Sequence, residues 1–76
     1  MYNGHKNWNH WNVSLWINND EGLYRTALDH LTEQKTKREA AKRMLEDLHS
    51  LGITKTRDGA PYSVTTIRAA MVGMNR

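Results

Sequence analysis

A mainly α, compact four-helix domain is the fold class this sequence predicts, with a helix-turn-helix-like C-terminal half and a short β-hairpin before the last helix. Three observations carry the prediction. Apolar residues recur at helical spacing in four separate stretches. Capping signals punctuate those stretches: Asp20 in NNDEG, Thr36 with Glu39 as T-x-x-E, and Ser63 ahead of VTTIRAAM. The single alternating stretch, ITKTRDGAPYSV, centres on Asp58-Gly59, a pair suited to the positive backbone angles of a tight hairpin. At 76 residues the chain is a single domain, residues 1–76. A chain so short buries only about 60% of the surface its unfolded form exposes, so few apolar side chains can be left outside the core.

The first helix is NWNHWNVSLWIN. Trp8, Trp11 and Leu15 share one stripe and Val13, Trp16 and Ile17 another, so the segment is apolar around much of its circumference and belongs near the centre. With no phenylalanine in the chain, Trp11 and Trp16 are the expected core aromatics. The second helix runs from about Glu21 to Thr32, started by Asn19 or Asp20, and buries Leu23, Ala27, Leu28 and Leu31. The third begins at the Thr36/Glu39 box and turns Ala41, Met44, Leu45 and Leu48 inward, with Leu51 closing its last turn. Gly52 is placed for a left-handed ending that folds Ile53 back onto Leu48. The fourth helix, Val64 to about Gly73, points Ile67, Ala70, Met71 and Met74 inward and leaves Thr65, Arg68, Ala69 and Val72 outside.

Charge is divided unevenly along the chain, whose formal net charge is +3. Through Gln34 two basic residues oppose four acidic ones, and from Lys35 onward nine oppose four, so the halves carry −2 and +5. A cationic half suits a polyanionic partner through release of its counterions. Helix, glycine turn, hairpin and helix then read as a helix-turn-helix with an extended joint, its last helix offering a small polar face to a major groove. Thr65, Thr66 and Arg68 form that face. Lys55, Arg57, Lys37, Arg38 and Lys42 are the expected phosphate contacts, and duplex DNA is the expected partner. Pairing of two chains on a two-fold site is the expectation for a reader of this size.

Two resemblances attach to these residues. LHSLGITKTRDGAPYSVTTIRAAM resembles the DNA-associated segment that follows the catalytic domain of large serine recombinases. Leu48, Gly52, Ile53, Thr56, Gly59, Ser63, Thr66, Ile67 and Met71 agree in type and spacing, and Tyr62 stands where that family has tryptophan. The likeness implies a helix facing nucleic acid. The opening YNGHKNWNHWNVSLWINNDEGLY is similar to that of small proteins of tailed, T7-like phages, at Tyr2, Asn3, Gly4, Asn7, Trp11, Asn12, Val13, Leu15, Trp16, Asn19 and Asp20. It implies a phage gene product acting in the host cytoplasm. A second function follows from that opening: a host-takeover or anti-defence factor that binds and inhibits a host protein through Trp8, Asn9 and Asn12, aromatic and amide side chains suited to recognition.

Other classes find no support in the sequence. Cysteine is absent, which removes disulfides and thiolate metal sites, and His5, His10, His30 and His49 have no spacing that pairs them on one helix. Asp20 and Glu21 are adjacent and diverge on a helix, and Ser63 lacks a nearby base, so neither an enzyme nor a cofactor or metal site is expected. No apolar stretch follows a basic one in MYNGHKNWN, and cytoplasmic localisation without a membrane segment is the expectation.

Overall fold

Four helices are formed: α1, Trp8–Asn19; α2, Glu21–Glu33; α3, Lys37–Ser50; and α4, Val64–Met71. The structure is a computed structural model describing residues 4–74, so Tyr2 and Asn3 of the phage-like opening and the terminal Arg76 lie outside the described residues. Each helix start is marked by an oxygen that takes an amide the first turn leaves unpaired. Asn7 Oδ1 accepts from His10 N–H at 3.0 Å and Asp20 Oδ1 from Leu23 N–H at 3.0 Å. Thr36 Oγ1 accepts from Glu39 N–H at 3.1 Å, and Ser63 Oγ from Thr66 N–H at 3.1 Å.

Asp20 alone joins α1 to α2. Its N–H donates back to Trp16 O at 3.0 Å, closing α1, while its carboxylate opens α2. The end of α3 is the left-handed type expected from Gly52. That glycine has φ +78, its N–H donates to His49 O at 3.0 Å, and Ile53 N–H reaches Leu48 O at 2.9 Å. Those bonds satisfy carbonyls that a helix end leaves open. Leu51, expected to close the last turn, is its C-cap and is exposed.

The helices pack in a closed cycle, α1 against α2 and α4, and α3 against α2 and α4. Val13 and Ile17 from α1, Ala27 and Leu31 from α2, Ala40, Ala41, Met44 and Leu48 from α3, and Ile67, Ala70 and Met71 from α4 meet in one core. Alanine at several facing positions lets backbones approach closely, while leucine, isoleucine and methionine fill the remaining volume. The radius of gyration, 11.1 Å, is what a single well-packed unit of this length should have, about 11.4 Å. The tryptophans stand further out than the sequence suggests. Trp11 and Trp16 are half-buried rather than central, because Val13 and Ile17 turn the other side of α1 to the core.

The predicted hairpin is replaced by a looped connection. Lys55 and Pro61 form an isolated antiparallel bridge, and there is no strand among the described residues. Pro61 has no N–H to extend a ladder. Thr56 and Ala60 close the tip instead: Thr56 N–H donates to Ala60 O at 2.8 Å and Ala60 N–H to Thr56 Oγ1 at 3.0 Å. Gly59 turns there with φ +98.

Candidate nucleic-acid interface

The first turn of α3 and the outer side of α4 enclose a cleft of about 640 Å³. Thr36, Lys37, Arg38, Val64, Thr65 and Arg68 line it. Four of the residues expected to meet DNA, Thr65, Arg68, Lys37 and Arg38, are thus brought together, although a full helix-to-helix connection separates them in sequence. Lys42 lies alongside, sharing a neighbouring hollow with Arg38, Glu39 and Val64. The ion pairs among the described residues are Arg25 with Glu21 and Arg43 with Glu46, and His30 lies beside the Glu33 and Asp47 carboxylates. Lys37, Arg38, Lys42 and Arg68 enter none of these. Arg43 takes Glu46 at 3.7 Å in place of the Glu39 pairing that helical spacing also allows. The cleft therefore carries uncompensated positive charge beside a threonine hydroxyl, a combination that binds phosphate oxygens.

Thr66, expected on the leading face of α4, is 5% exposed and turned inward. Its hydroxyl accepts from Ser63 N–H at 2.9 Å while Ser63 Oγ accepts from Thr66 N–H at 3.1 Å, a complete reciprocal box. An N3 position is held by its own cap, which is why the groove-facing set reduces to Thr65 and Arg68. Thr66→Val should accordingly cost about 1–2 kcal/mol of stability, read by urea unfolding, with no change in affinity per folded molecule for any ligand of the cleft.

Lys55 and Arg57 sit elsewhere, on the connection before α4, in a separate cleft with Trp16, Asp20 and Asp47. That connection is fixed to α1 by a polar lock. Asn12, 1% exposed on the inner side of α1, donates from Nδ2 to Asp58 Oδ2 at 2.8 Å and accepts from Thr56 Oγ1 at 2.6 Å. Trp16 Nε1 donates to the same Asp58 oxygen at 2.9 Å, and the Arg57 guanidinium lies 5.7 Å from the Trp16 ring centre. The Asn12 bond, and then the Trp16 bond, hold the Asp58 carboxyl below its ordinary pKa against a smaller desolvation effect. Asn12, expected on a protein-binding surface, is inside this lock and cannot reach a partner.

On the outer side of α1, Trp8 and Leu15 are exposed, Asn9 is half-buried, and a shallow hollow passes between His5, Trp11 and Asn18. Sequence reading missed two further features. Asp58 was read as a turn residue, yet it anchors the connection. An asparagine next to Val13 on the inner side of an apolar helix was the available signal, since a buried amide requires partners. His30, for which the sequence offers no histidine partner on its own helix, links α2 to α3 through Nε2 and Asp47 Oδ2 at 2.6 Å, with Nδ1 buried and without a hydrogen bond.

No group of His, Cys, Asp and Glu able to hold a metal ion is found among the described residues, and no helix there is long and apolar enough to cross a membrane. Fold and cleft together define a small all-α domain with an unpaired cationic groove between two of its helices. Over residues 1–75 the chain matches the model of the family described as "Family of unknown function (DUF7249)", and it belongs to that family. No curated protein and no solved structure matches it.

Proposed function

We propose that this chain is a small, non-enzymatic phage protein that binds duplex DNA through the α3–α4 cleft, in the manner of a helix-turn-helix. One observation carries the reading. Lys37, Arg38 and Arg68 converge on a single cleft with Thr65, and no carboxylate is paired with any of them among the described residues. In this reading Thr65 and Arg68 approach the groove from α4, while Lys37, Arg38 and Lys42 hold the phosphates. Lys55 and Arg57 line the other cleft and stand apart from this set.

The arithmetic of three neutralised phosphates gives a salt slope of about −2.7, so affinity should fall about 40-fold between about 50 and 200 mM salt. Fluorescence anisotropy with a short labelled duplex, titrated across that range, is the test. A flat salt response, or no binding at the lowest ionic strength, ends the proposal.

A second reading is favoured by the exposed Trp8 and Leu15 on α1: a host-takeover or anti-defence factor docking a host protein on that outer side, with Asn9 at its edge. Pull-down from nuclease-treated host lysate separates the two. Loss of every partner supports DNA, and a stoichiometric protein that is released by Trp8→Ala supports the second reading.

A further inference from the structure

The outer side of α4 is a line of short side chains interrupted by one long one. Thr65, Arg68, Ala69 and Val72 follow one another at three- and four-residue spacing and share a face, while Thr66, Ile67, Ala70 and Met71 turn to the core. Thr65 and Arg68 are exposed, Ala69 is half-buried, and Val72, the C-cap, is 64% exposed. From Thr65 to Val72 the line runs about 10 Å, the length of roughly three stacked base pairs. It carries no carboxylate, and Arg68 is its one charge. The Thr65 hydroxyl enters no hydrogen bond, and the Arg68 guanidinium no ion pair, among the described residues.

A division of labour follows from where the cations stand. Lys37, Arg38 and Lys42 belong to α3 and suffice to hold phosphates, so α4 needs no cation for grip. Its short side chains instead let the helix backbone approach base edges, and one guanidinium reaches beyond them. An arginine aimed at a base edge pairs through two parallel N–H donors with O6 and N7 of guanine, an acceptor pair that no other base presents. An exposed valine has one apolar counterpart in a major groove, the C5-methyl group of thymine. We propose, building on the duplex-binding reading of the α3–α4 cleft, that Arg68 reads a guanine and that Ala69 and Val72 cover a thymine methyl within the next two base pairs. The chain then prefers duplexes in which a G·C pair lies close to a T·A pair. Contact with phosphates alone calls for neither the single central arginine nor the bare valine.

The test uses the full chain and a pool of short duplexes with a randomised centre, selected at physiological salt. Enriched duplexes should share a guanine with a thymine within two positions of it. On the best of them, replacing that G·C pair by A·T should weaken wild-type binding about 10-fold in fluorescence anisotropy. Replacing the thymine by uracil, which removes only the methyl group, should weaken it about 3-fold. Arg68→Ala should bind the G·C and A·T duplexes equally while its salt slope stays at about −2.7, which marks the loss of a base contact and not of a phosphate contact. Val72→Ala should remove most of the uracil effect. Both substitutions fall on exposed positions, and thermal unfolding verifies that the variants are folded. Salt-dependent binding of the pool with no enrichment, a guanine preference that survives Arg68→Ala, a smaller slope in that variant, or equal binding of thymine and uracil would each overturn this inference and leave duplex binding standing. Failure of every duplex to bind at low salt would overturn both.

Discussion

Binding of a short duplex by the Arg38→Glu/Arg68→Glu variant is expected to be weaker than that of the wild type by roughly 100-fold at low salt. Two of the three uncompensated cations of the α3–α4 cleft are then reversed, and each repels the polyanionic duplex instead of attracting it. The neutral version, Arg38→Ala/Arg68→Ala, is the more diagnostic. It should reduce the salt slope from about −2.7 to about −1.8, leaving the phosphate contacts of Lys37 and Lys42. Both arginines are exposed and bear no ion pair among the described residues, so stability should move by no more than about 0.5 kcal/mol. Anisotropy at several salt concentrations, with thermal unfolding alongside, checks both halves. An unchanged slope would show that DNA, if bound, is held by another face.

The second large effect is on stability. Asn12→Ala removes an amide that is buried on α1 and bonded on both its ends, to Asp58 and Thr56. Two hydrogen bonds are lost, the buried Thr56 hydroxyl loses its acceptor, and a small cavity opens against the core. A loss of about 3 kcal/mol is expected, which for a domain of this size lowers Tm by roughly 12–24 °C. Asn12→Asp asks a sharper question. In the wild type the Asp58 pKa is lowered by folding, so its contribution is complete above the unfolded pKa and is lost as pH falls through the folded one. In the variant two carboxylates meet where an amide met one, and they share a proton with a pKa raised above the unfolded value. That contribution has the opposite sign and grows as pH falls through the raised pKa. Urea midpoints measured through the acidic range should therefore converge for the two proteins, with the wild type falling.

Much of this architecture can be read in the residues themselves, because local chemistry decides it. Asp20, Thr36 and Ser63 are short polar side chains before apolar periodicity, and each caps the helix it precedes. Gly52 ends α3 as its position after Leu48 implies. What was illegible depends on residues distant in sequence. The connection that replaces the hairpin is tied to α1 by Thr56 Oγ1 donating to Asn12, 44 positions away, which no local pattern shows. Thr66 has the same residue type as its exposed neighbour Thr65, and only the helical phase against Ile67 and Ala70 puts one inside and the other out. Within the candidate site, the approach of Lys37 and Arg38 to Thr65 and Arg68 was legible as a charge asymmetry, but the separation of Lys55 and Arg57 from them was not. Three-dimensional packing of α3 on α4 alone determines it.

The bond between Asn12 and Asp58 spans 46 positions of a 76-residue chain. Its partners cannot find one another until the intervening helices have collapsed, because closing so long a loop carries an entropic penalty that only the assembled core repays. It is therefore a late event in folding and an early casualty of any nick between α1 and the tip at Asp58. Two fragments separated by such a cut hold helices too short to persist alone and lose the joint that makes them one cooperative unit. The indole proton that Trp16 presents to Asp58 reports that wholeness from a single resonance.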